Sequence, residues 1–475
     1  MNHQSPEQLE SKTASAAPEI SLSVLDGELI RRLGQRFREH GRQLYLVGGP
    51  VRDAILGRPT HDLDFATDAP PAQTRAILEQ EQPTTTYSIG EKFGTIGATF
   101  GEVSVEITTF RGEQYQAGSR KPDVRYGLSL EEDLARRDFT INAMAWDAEL
   151  GRLVDPFGGM ADLRAGLLRA VGTPLQRFAE DPLRLLRGVR FAAQLGFRLD
   201  PETLKAMRES AGLLRQVSRE RILEEMNRLL LAPDAARGVR LLADLGLADS
   251  FMPELLDLRR TTQGKRSKDV FEHTLRVLER TRADLVLRWA ALLHDIGKPR
   301  TIVIANDEIH FPAHEVVGER LTGEILMRLR ADSLLTQRVA RLAGRHMRAN
   351  QYEDEWTDGA VRRLMRETGP DLDLLLELSE ADVTSYRAVK IEAAMDRVRR
   401  LRERIRRLEE EASLDEFRSP LDGDELMSLF GRGPGRWIKL VKDYLLDLVL
   451  DGKLAPTDKA QAEELARKFV SEQGL

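Results

Sequence analysis

The periodicity of the sequence changes once, near Leu163, and this change constrains the fold more than any other feature. Before it, strand-like runs alternate with helical stretches, and the clearest runs are Leu44–Gly48, Asp62–Ala66 and Val103–Phe110. After it, Leu and Arg recur at spacings of three and four residues almost to the end of the chain. The pattern predicts an α+β fold, in which a head of mixed sheet and helices is followed by all-α domains.

Two polar breaks divide the helical part of the chain, at Gln263–Ser267 and at Ser419–Gly423. The length of 475 residues suggests about three domains. We expect a flexible leader over residues 1–25, a head over 26–162, a helical neck over 163–262, a second helical domain over 263–418 and a C-terminal helical module over 419–475.

The composition excludes several classes of protein. The chain has no cysteine, which excludes disulfides and thiolate metal sites. It has no apolar run of about eighteen residues, which excludes a membrane-spanning helix. The net charge is −6 although Lys and Arg number 71, so binding of nucleic acid would require basic residues gathered on one face. We expect a cytoplasmic protein with no membrane partner, and its oligomeric state stays open.

Three carboxylates in the head have the spacing of a metal site. Asp62 and Asp64 are two residues apart on a predicted strand, so both side chains point to one face. Glu106 lies in the middle of another predicted strand, and pairing of the two strands would bring the three carboxylates together. Such a cluster requires cations, and Mg²⁺ prefers oxygen ligands of this kind. Two Mg²⁺ ions would activate a 3′-hydroxyl and stabilise a leaving pyrophosphate.

The glycine pair Gly48–Gly49 stands between a predicted strand and a predicted helix. Backbone amides at such a turn can hold a triphosphate, and Arg52 can add a charge-assisted hydrogen bond. The whole stretch LVGGPVRDAILGRPTHDLDFAT resembles the first motif of the class II CCA-adding and poly(A) polymerase family, within the polymerase-beta-like nucleotidyltransferases. The resemblance implies template-independent transfer of CMP and AMP from CTP and ATP to tRNA 3′ ends.

A second motif extends the resemblance. The stretch RDFTINA (Arg137–Ala143) resembles the family motif that holds the ribose of the nucleotide. By that resemblance Asp138 would contact the 2′-hydroxyl, which distinguishes ribose from deoxyribose, and Asn142 would support the same pocket. Arg111 follows Glu106 closely and would reach the triphosphate or the edge of the metal site. Without the resemblance, the same stretch is a capped loop that enters a helix.

The stretch EDPLR pairs an acid with a base three residues later. If Asp181 and Arg184 share a helical face, the carboxylate accepts from the exocyclic amine of cytosine or adenine, and the guanidinium donates to ring acceptors. Guanine and uracil place a carbonyl where the amine should be, so the pair would reject them. EDPLRLLRGVRFAAQLGF is similar to the family motif that serves as an amino-acid template. By that similarity Glu180 would orient Arg184, and Arg187 and Arg190 would continue a basic stripe toward substrate phosphates.

The second half of the chain contains a histidine pattern that resembles the HD phosphohydrolase superfamily, most characteristically in ALLHDIGKP (Ala291–Pro299). Imidazole and carboxylate together suit Mn, Fe, Ni or Zn, and such a metal could activate water for attack on a phosphate ester. Some CCA-adding enzymes carry such a domain, and some of those hydrolyse 2′,3′-cyclic phosphates. Lys298 would hold a phosphate or cap a helix. The predicted metal ligands are His273, His294, Asp295, His314, His346 and Asp382.

Several alternatives stay open. Within the family, the enzyme could add only the terminal A or only the two Cs. Poly(A) polymerase activity would fit a long basic C-terminal tail, which residues 440–475 do not contain. A phosphohydrolase with a degenerate head, or a non-catalytic RNA-binding protein, would have lost the carboxylates that are present here. The arginine run Arg397–Arg407 is typical of a solvated helix with many ion pairs, and Gly431–Gly435 with Arg436 could contact a tRNA phosphate or form a packing loop.

Overall fold

The structure is a computed structural model. It describes residues 25–89, 94–114, 123–126, 129–263, 268–306, 308–383, 388–411 and 419–475. Apart from Leu25, the predicted leader over residues 1–25 lies outside these ranges. The chain divides into two compact units, Met1–Gln216 and Val217–Leu475. The boundary falls inside the predicted neck, so the two halves of that segment belong to different units.

The first unit combines a sheet with eight described helices. Its helices are α1 (Gly27–Glu39), α2 (Gly49–Ile55), α3 (Pro71–Gln80), α4 (Leu130–Ala135), α5 (Gly159–Ala165), α6 (Pro174–Glu180), α7 (Leu183–Leu195) and α8 (Pro201–Glu209), with 3₁₀ turns at Thr140–Asn142 and Ala211–Gln216. Its strands are β1 (Leu44–Val47), β2 (Asp62–Thr67), β3 (Thr85–Ile89), β4 (Thr95–Phe100), β5 (Val103–Thr109), β6 (Arg111–Gln114), β7 (Asp123–Tyr126), β8 (Ala145–Asp147), β9 (Leu153–Val154), β10 (Leu167–Leu168) and β11 (Arg198–Leu199).

Seven of these strands form one mixed sheet in the order β3-β4-β5-β2-β1-β8-β9. The central strand β1 is LYLV, and all four of its side chains are buried, as expected for an apolar run inside a sheet. Strands β2 and β5 are parallel neighbours. The strands expected near Leu44, Asp62 and Val103 are confirmed, together with the mixed sheet of the head.

In its described residues, the second unit is helical apart from two short antiparallel ladders. Its helices are α9 (Arg219–Leu230), α10 (Ala235–Asp244), α11 (Glu254–Arg259), α12 (Val270–Arg280), α13 (Leu285–Leu293), α14 (Lys298–Thr301), α15 (His314–Arg328), α16 (Ser333–Asn350), α17 (Asp358–Thr368), α18 (Leu372–Asp382), α19 (Ala388–Glu411), α20 (Gly423–Phe430), α21 (Arg436–Leu450) and α22 (Lys459–Gln473), with 3₁₀ turns at Leu247–Ser250 and Gly369–Asp371. The ladders pair β12 (Thr262–Gln263) with β13 (Lys268–Asp269) and β14 (Val303–Ala305) with β15 (Glu308–His310).

The arginine run lies on α19, as expected for a solvated helix with many ion pairs. Its apolar stripe is buried and includes Val398 and Leu401. Arg404 lies 2.7 Å from Asp358, and Arg400 lies 3.2 Å from Asp354. These arginines are therefore neutralised by carboxylates of the same unit. Among the described residues, no helix is long and apolar enough to cross a membrane.

Candidate active site and metal centre

The three acidic residues of the head meet on one face of the sheet. In the parallel ladder between β2 and β5, Asp64 lies directly opposite Glu106, and Asp62 lies two residues earlier on the same face. Asp62 and Asp64 are exposed, whereas Leu63 between them is buried. The predicted neighbourhood of the three carboxylates is therefore present, and it follows from the register of two strands.

The electrostatics of this cluster favour a cation. Although Asp64 is exposed as a residue, partial desolvation of its carboxyl group by surrounding atoms and the nearby charge of Glu106 raise its pKa to about 6. Burial and the charge of Asp62 raise the pKa of Glu106. Among the described residues, no side chain or backbone amide donates a hydrogen bond to any of these three carboxylates. Crowded carboxylates with unused lone pairs are the donor set that Mg²⁺ accepts, so the residues fit the predicted ion.

The glycine turn before α2 has a backbone conformation that favours glycine, and a flexible side chain lies close to it. Gly48 has φ of 74°, in the region that side chains rarely adopt, and α2 begins at Gly49. A Cβ atom on Gly48 would lie 2.7 Å from Nη1 of Arg137. The absence of a side chain therefore lets the Arg137 guanidinium approach the backbone of the turn.

Arg137 is a candidate site residue that the sequence analysis did not assign. Its charge acts to lower the pKa of Asp64, so it also lies close to the carboxylate cluster. Its Nη2 atom lies 3.3 Å from Asp133, while its buried Nε atom has no hydrogen-bond partner among the described residues. A cation between the glycine turn and the carboxylates suits a polyphosphate. The only signal in the sequence was the doublet of arginines before Asp138.

A chain of hydrogen bonds connects α2 to the segment Arg136–Asn142. Arg52 is buried, and its Nη1 donates to Oδ1 of Asn142 at 2.8 Å. Its Nε and Nη2 donate to the two oxygens of Asp53, at 2.9 and 2.8 Å. Asn142 in turn donates to Asp138 at 3.1 Å. In this structure Arg52 thus anchors α2, and its predicted contact with a triphosphate stays a prediction.

Asp138 is the centre of this network. It accepts hydrogen bonds from Asn142, from the backbone N–H of Phe139 at 2.8 Å and from Nε of Arg187 at 2.7 Å. Burial by itself would raise the pKa of Asp138, but the Arg187 charge and these hydrogen bonds lower it to about 2. The carboxylate is therefore ionised at neutral pH.

The EDPLR stretch folds differently from our expectation. Asp181 and Arg184 were predicted to share a helical face, but Asp181 is extended, with φ of −140°, in the junction between α6 and α7. The cause is Pro182, which disfavours the helical conformation for the residue before it. Asp181 still faces the start of α7, because its Oδ1 accepts from the backbone N–H of Leu183 at 3.2 Å.

Arg184 is buried and held by three acceptors. Its Nη1 donates to Glu180 at 3.0 Å, which agrees with the predicted orienting role of Glu180, and to the carbonyl of Arg177 at 2.9 Å. Its Nη2 donates to the carbonyl of Arg136 at 2.7 Å. This last bond joins the start of α7 to the segment that contains Arg137 and Asp138. The predicted base-reading and ribose-binding motifs are therefore neighbours.

Arg187 and Arg190 surround the ring of Phe191, as does Arg52. Their guanidinium carbons lie 5.3, 4.2 and 5.1 Å from the ring centroid, respectively, within cation–π range. Arg190 also donates to Gln194 at 3.2 Å. The side chain of Arg111 lies outside the described residues, so its predicted role is not located.

The six predicted ligands of the second unit form one cluster, in which His273 and Asp382 are partly exposed and the other four are buried. His294, Asp295 and His346 are at most 1% exposed, and His314 is also buried. The cluster draws on α12, α15, α16, α18 and the turn after α13. His273 Nε2 lies 2.9 Å from Asp382 Oδ1 and 3.2 Å from His294 Nε2, and His314 Nε2 lies 3.3 Å from His346 Nε2.

Backbone carbonyls orient three of the imidazoles. The Nδ1 atoms of His294, His314 and His346 lie 2.9, 2.9 and 2.7 Å from the carbonyl oxygens of Ala291, Phe311 and Ala343. If Nδ1 donates, the Nε2 lone pair is directed into the cluster, as in metal-binding histidines. Burial and the neighbouring His294 lower the pKa of His346 to about 4, so this ring is neutral at pH 7.

The spacing of these atoms matches that of ligands around a metal. Nitrogens about 2.1 Å from one ion and roughly 90–110° apart lie about 3.0–3.4 Å from each other. The ligand atoms form two groups that share Asp295: one with His273 and His294, the other with His314 and His346. The buried Oδ1 of Asp295 has no hydrogen-bond partner among the described residues, whereas Oδ2 accepts from Lys298 at 2.6 Å. The donor set fits a divalent transition metal.

Comparison with known proteins agrees with this architecture. Residues 44–169 match the poly A polymerase head domain, residues 196–258 match the probable RNA- and SrmB-binding site of polymerase A, and residues 270–387 match the HD domain. Among solved structures, the CCA-adding enzyme of Bacillus stearothermophilus in complex with CTP is similar, with a TM-score of 0.66 and 28% identity; the likeness covers 94% of this chain and 98% of that one.

Similarity to curated proteins identifies the family to which the chain belongs. A CCA-adding enzyme of Streptococcus suis is 46% identical over 222 residues, which are 46% of this chain and 53% of that protein, so this match spans about half of its length. An A-adding tRNA nucleotidyltransferase of Deinococcus radiodurans is 36% identical over 438 residues, 88% of this chain and 94% of the relative. A CCA-adding enzyme of Bacillus licheniformis is 33% identical over 433 residues, 91% of this chain and 96% of the relative. The chain therefore belongs to the family of CCA-adding tRNA nucleotidyltransferases, with a poly(A) polymerase head domain and an HD domain.

Proposed function

We propose that the protein transfers CMP and AMP from CTP and ATP to the 3′ end of tRNA. The observation that carries the proposal is the carboxylate cluster of Asp62, Asp64 and Glu106, which lies near the cation Arg137 and the glycine turn at Gly48. Nucleotidyl transfer needs these two elements: ligands for Mg²⁺ and a positive cradle for the leaving pyrophosphate.

Different residues of the head would bind the metal ions and the triphosphate. Asp62, Asp64 and Glu106 would hold Mg²⁺, which supplies activation of the tRNA 3′-hydroxyl and charge stabilisation on the leaving pyrophosphate. Whereas the Gly48 amide donates to the carbonyl of Met144 at 3.2 Å, the amide of Gly49 at the start of α2, together with Arg137, would bind the triphosphate. Their donors point at charge that increases during the transfer, so they favour the transition state over the bound substrate.

Base selection belongs to the junction between α6 and α7. Asp181 would accept from the exocyclic amine of cytosine or adenine, and Arg184 would donate to a ring acceptor. Glu180 and two backbone carbonyls fix the Arg184 guanidinium, so the protein presents a preformed edge. A rigid polar edge rejects the wrong base because that base leaves buried groups unpaired. Asp138 and Asn142, next to Arg184, would bind the ribose.

A second candidate is the addition of A alone, as part of a pair of enzymes. It is favoured by the Deinococcus radiodurans relative, an A-adding enzyme that matches most of this chain at 36% identity. Incubation of the purified protein with tRNAs that lack one, two or three terminal nucleotides separates the two candidates. Full CCA addition predicts that CTP and ATP together restore all three transcripts. An enzyme that adds A alone would extend only the transcript that already ends in the two Cs.

For the HD domain we propose a metal-dependent phosphohydrolase activity on 2′,3′-cyclic phosphates. The support is the cluster of His273, His294, Asp295, His314, His346 and Asp382, with Lys298 beside it, which would hold the phosphate. A Mn, Fe, Ni or Zn ion would supply Lewis-acid activation of water at this site. The test is hydrolysis of 2′,3′-cyclic AMP by protein loaded with each metal in turn. Absence of hydrolysis with every metal tested would contradict this proposal for the HD domain. The proposal that the head adds nucleotides would not be affected.

A further inference from the structure

A cavity of about 560 Å³ opens among the helices of the second unit. Its wall is formed by the second half of α17, the first turns of α18, the last turns of α19 and Leu450 at the end of α21. Binding pockets for small molecules have volumes of this order. The described residues of its wall include none of the six predicted metal ligands, and Leu376 in the wall precedes Asp382 on α18 by about 9 Å along the helix axis. The cavity is therefore separate from the histidine cluster.

Part of the wall is apolar. Four of its side chains are apolar and buried: Met365 of α17, Leu376 of α18, Ile405 of α19 and Leu450 of α21. Ordered water needs several polar partners, and these side chains offer no hydrogen-bond donor. The apolar part of the wall therefore favours a ligand with an apolar body over a fully hydrated ion.

Arginines form the charged part of the same wall. The four arginines make two pairs with a spacing of four residues, one pair on α17 and one on α19, so each pair shares a helix face. Like charges at this spacing destabilise a helix, and a bound anion would relieve that repulsion. Four arginines and two acids leave an excess of two positive charges. The charged residues of the wall are Arg362, Arg366, Arg402, Arg406, Asp373 and Glu409.

Two of these arginines are not neutralised at close range. Arg366 is exposed, and its ion pair with a described residue is a long one, at 3.9 Å from Asp447. Arg406 is exposed and forms no ion pair with any residue that the structure describes. By contrast, Arg404 of the same helix lies 2.7 Å from Asp358. The guanidinium groups of Arg366 and Arg406 are therefore available to an anion.

We propose that this cavity binds a phosphomonoester with a planar apolar body, of the class of a nucleoside monophosphate. A phosphomonoester has a charge of about −1.5 to −2 at pH 7, which matches the excess of two positive charges. The guanidinium forks of Arg366 and Arg406 hold its oxygens, and its body lies against Met365, Leu376 and Ile405. Inorganic phosphate would leave the apolar part of the wall uncovered. The inference is independent of nucleotide addition and of the hydrolysis proposed for the histidine cluster, because these residues belong to neither site.

The test is hydrogen–deuterium exchange of the full chain, measured by mass spectrometry with AMP, adenosine or inorganic phosphate. Exchange is measured for each peptide, so binding at the cavity is distinguished from binding in the head. We expect AMP to slow exchange in residues 362–376 and 402–409, and the other two compounds at the same concentration to slow it less. Equal protection by inorganic phosphate would overturn the role of the apolar wall. Protection of these residues by tRNA but not by AMP would overturn the proposal and assign the cavity to an RNA backbone, and no protection by AMP or tRNA would also overturn it.

Two substitutions and a matched control locate the phosphate. Arg366→Ala and Arg406→Ala should each raise the AMP concentration for half-maximal protection by about tenfold, the loss expected for one charged hydrogen-bond partner. Arg399→Ala removes an exposed arginine of α19 that lies 2.6 Å from Asp396 and outside the wall, so that concentration should stay unchanged. Circular dichroism checks that the three variants are folded. An equal shift in Arg399→Ala, or no shift in either cavity variant, would overturn the proposal.

Discussion

The two candidate centres of this protein are built in opposite ways. In the head, Asp62 and Asp64 are exposed, and their carboxylates receive no hydrogen bond from the described residues. In the HD domain, His294, Asp295 and His346 are almost fully buried, and backbone carbonyls orient the rings. An open acidic cluster suits an ion that arrives with its substrate and leaves with the product, whereas a buried histidine cluster suits an ion that stays.

The largest expected effect comes from disrupting the carboxylate cluster of the head while the HD domain is left unchanged. Asp64→Ala removes a carboxylate that lies opposite Glu106, and we expect nucleotide addition to fall by at least about a thousandfold. Metal content of the HD domain, measured by mass spectrometry on the same sample, should stay at the wild-type value. Asp68→Ala, on the same segment but outside the cluster, is the control for folding. Near-wild-type addition by Asp64→Ala would contradict the metal role of the cluster.

The reciprocal change tests the HD centre. His294→Ala combined with Asp295→Ala removes ligands from both groups, so we expect bound transition metal to fall to background and any hydrolysis of cyclic phosphates to disappear. Nucleotide addition should change by less than about twofold, because each unit has its own ligand set. A thermal unfolding profile confirms that the variant is folded. A collapse of addition in the folded variant would show that the two centres are not independent.

The third change acts on specificity rather than rate. Asp181→Ala removes the group that penalises a carbonyl at the position of the amine, so misincorporation of UTP and GTP should rise roughly tenfold to a hundredfold relative to CTP and ATP. Single-nucleotide incorporation with each triphosphate measures this. Glu202→Ala, in the first turn of α8, is a control of equal charge change. An active Asp181→Ala enzyme with unchanged selectivity would place base choice elsewhere.

The smallest expected effect is a change in the free energy of unfolding. Alanine substitutions of glycines at the two centres compare how tightly each backbone turn is packed. A Cβ on Gly297, at the HD turn, would lie 2.2 Å from the carbonyl oxygen of His314, whereas a Cβ on Gly48 would meet only the end of the Arg137 side chain. Gly297→Ala should therefore lower the free energy of unfolding by about 1–3 kcal/mol. Gly48→Ala should cost about 1–2 kcal/mol through its positive φ, as should Gly57→Ala, which has a similar φ and open space. Denaturant titration of the full chain measures the free energy of unfolding of the three variants. Equal losses in Gly297→Ala and Gly48→Ala would mean that the turn at Gly297 is not more tightly packed than the turn at Gly48.

The sequence predicted the elements that depend on local pattern. The apolar run of β1 and the alternation around Asp62 and Asp64 were sufficient to place the strands. The sequence left open whether β2 and β5 pair, and it is their parallel register that brings Glu106 to the same face. The extended conformation of Asp181 was also readable, because Pro182 follows it, but the spacing of three residues suggested a helix.

What the sequence did not reveal is which charges neutralise one another. Arg52 and Arg187 have the residue type and position of phosphate ligands, yet each is paired with a carboxylate. The contacts of Arg52 with Asn142 and of Arg187 with Asp138 join residues far apart in the chain. Such contacts are decided by tertiary packing, which a single sequence does not specify. The approach of Arg137 to Gly48 was missed for the same reason.

The parallel pairing of β2 with β5 also has a consequence for the order in which the two centres form during translation. Both strands precede all the ligands of the histidine cluster in the chain, so the acidic residues Asp62, Asp64 and Glu106 can meet before that cluster is synthesised. The histidine cluster requires α12 and α18, and its last ligand, Asp382, emerges much later. Domains generally fold as units from the N-terminus during translation. The nascent chain therefore completes its two centres in sequence, and the histidines stay without their full partner set while the head is already formed.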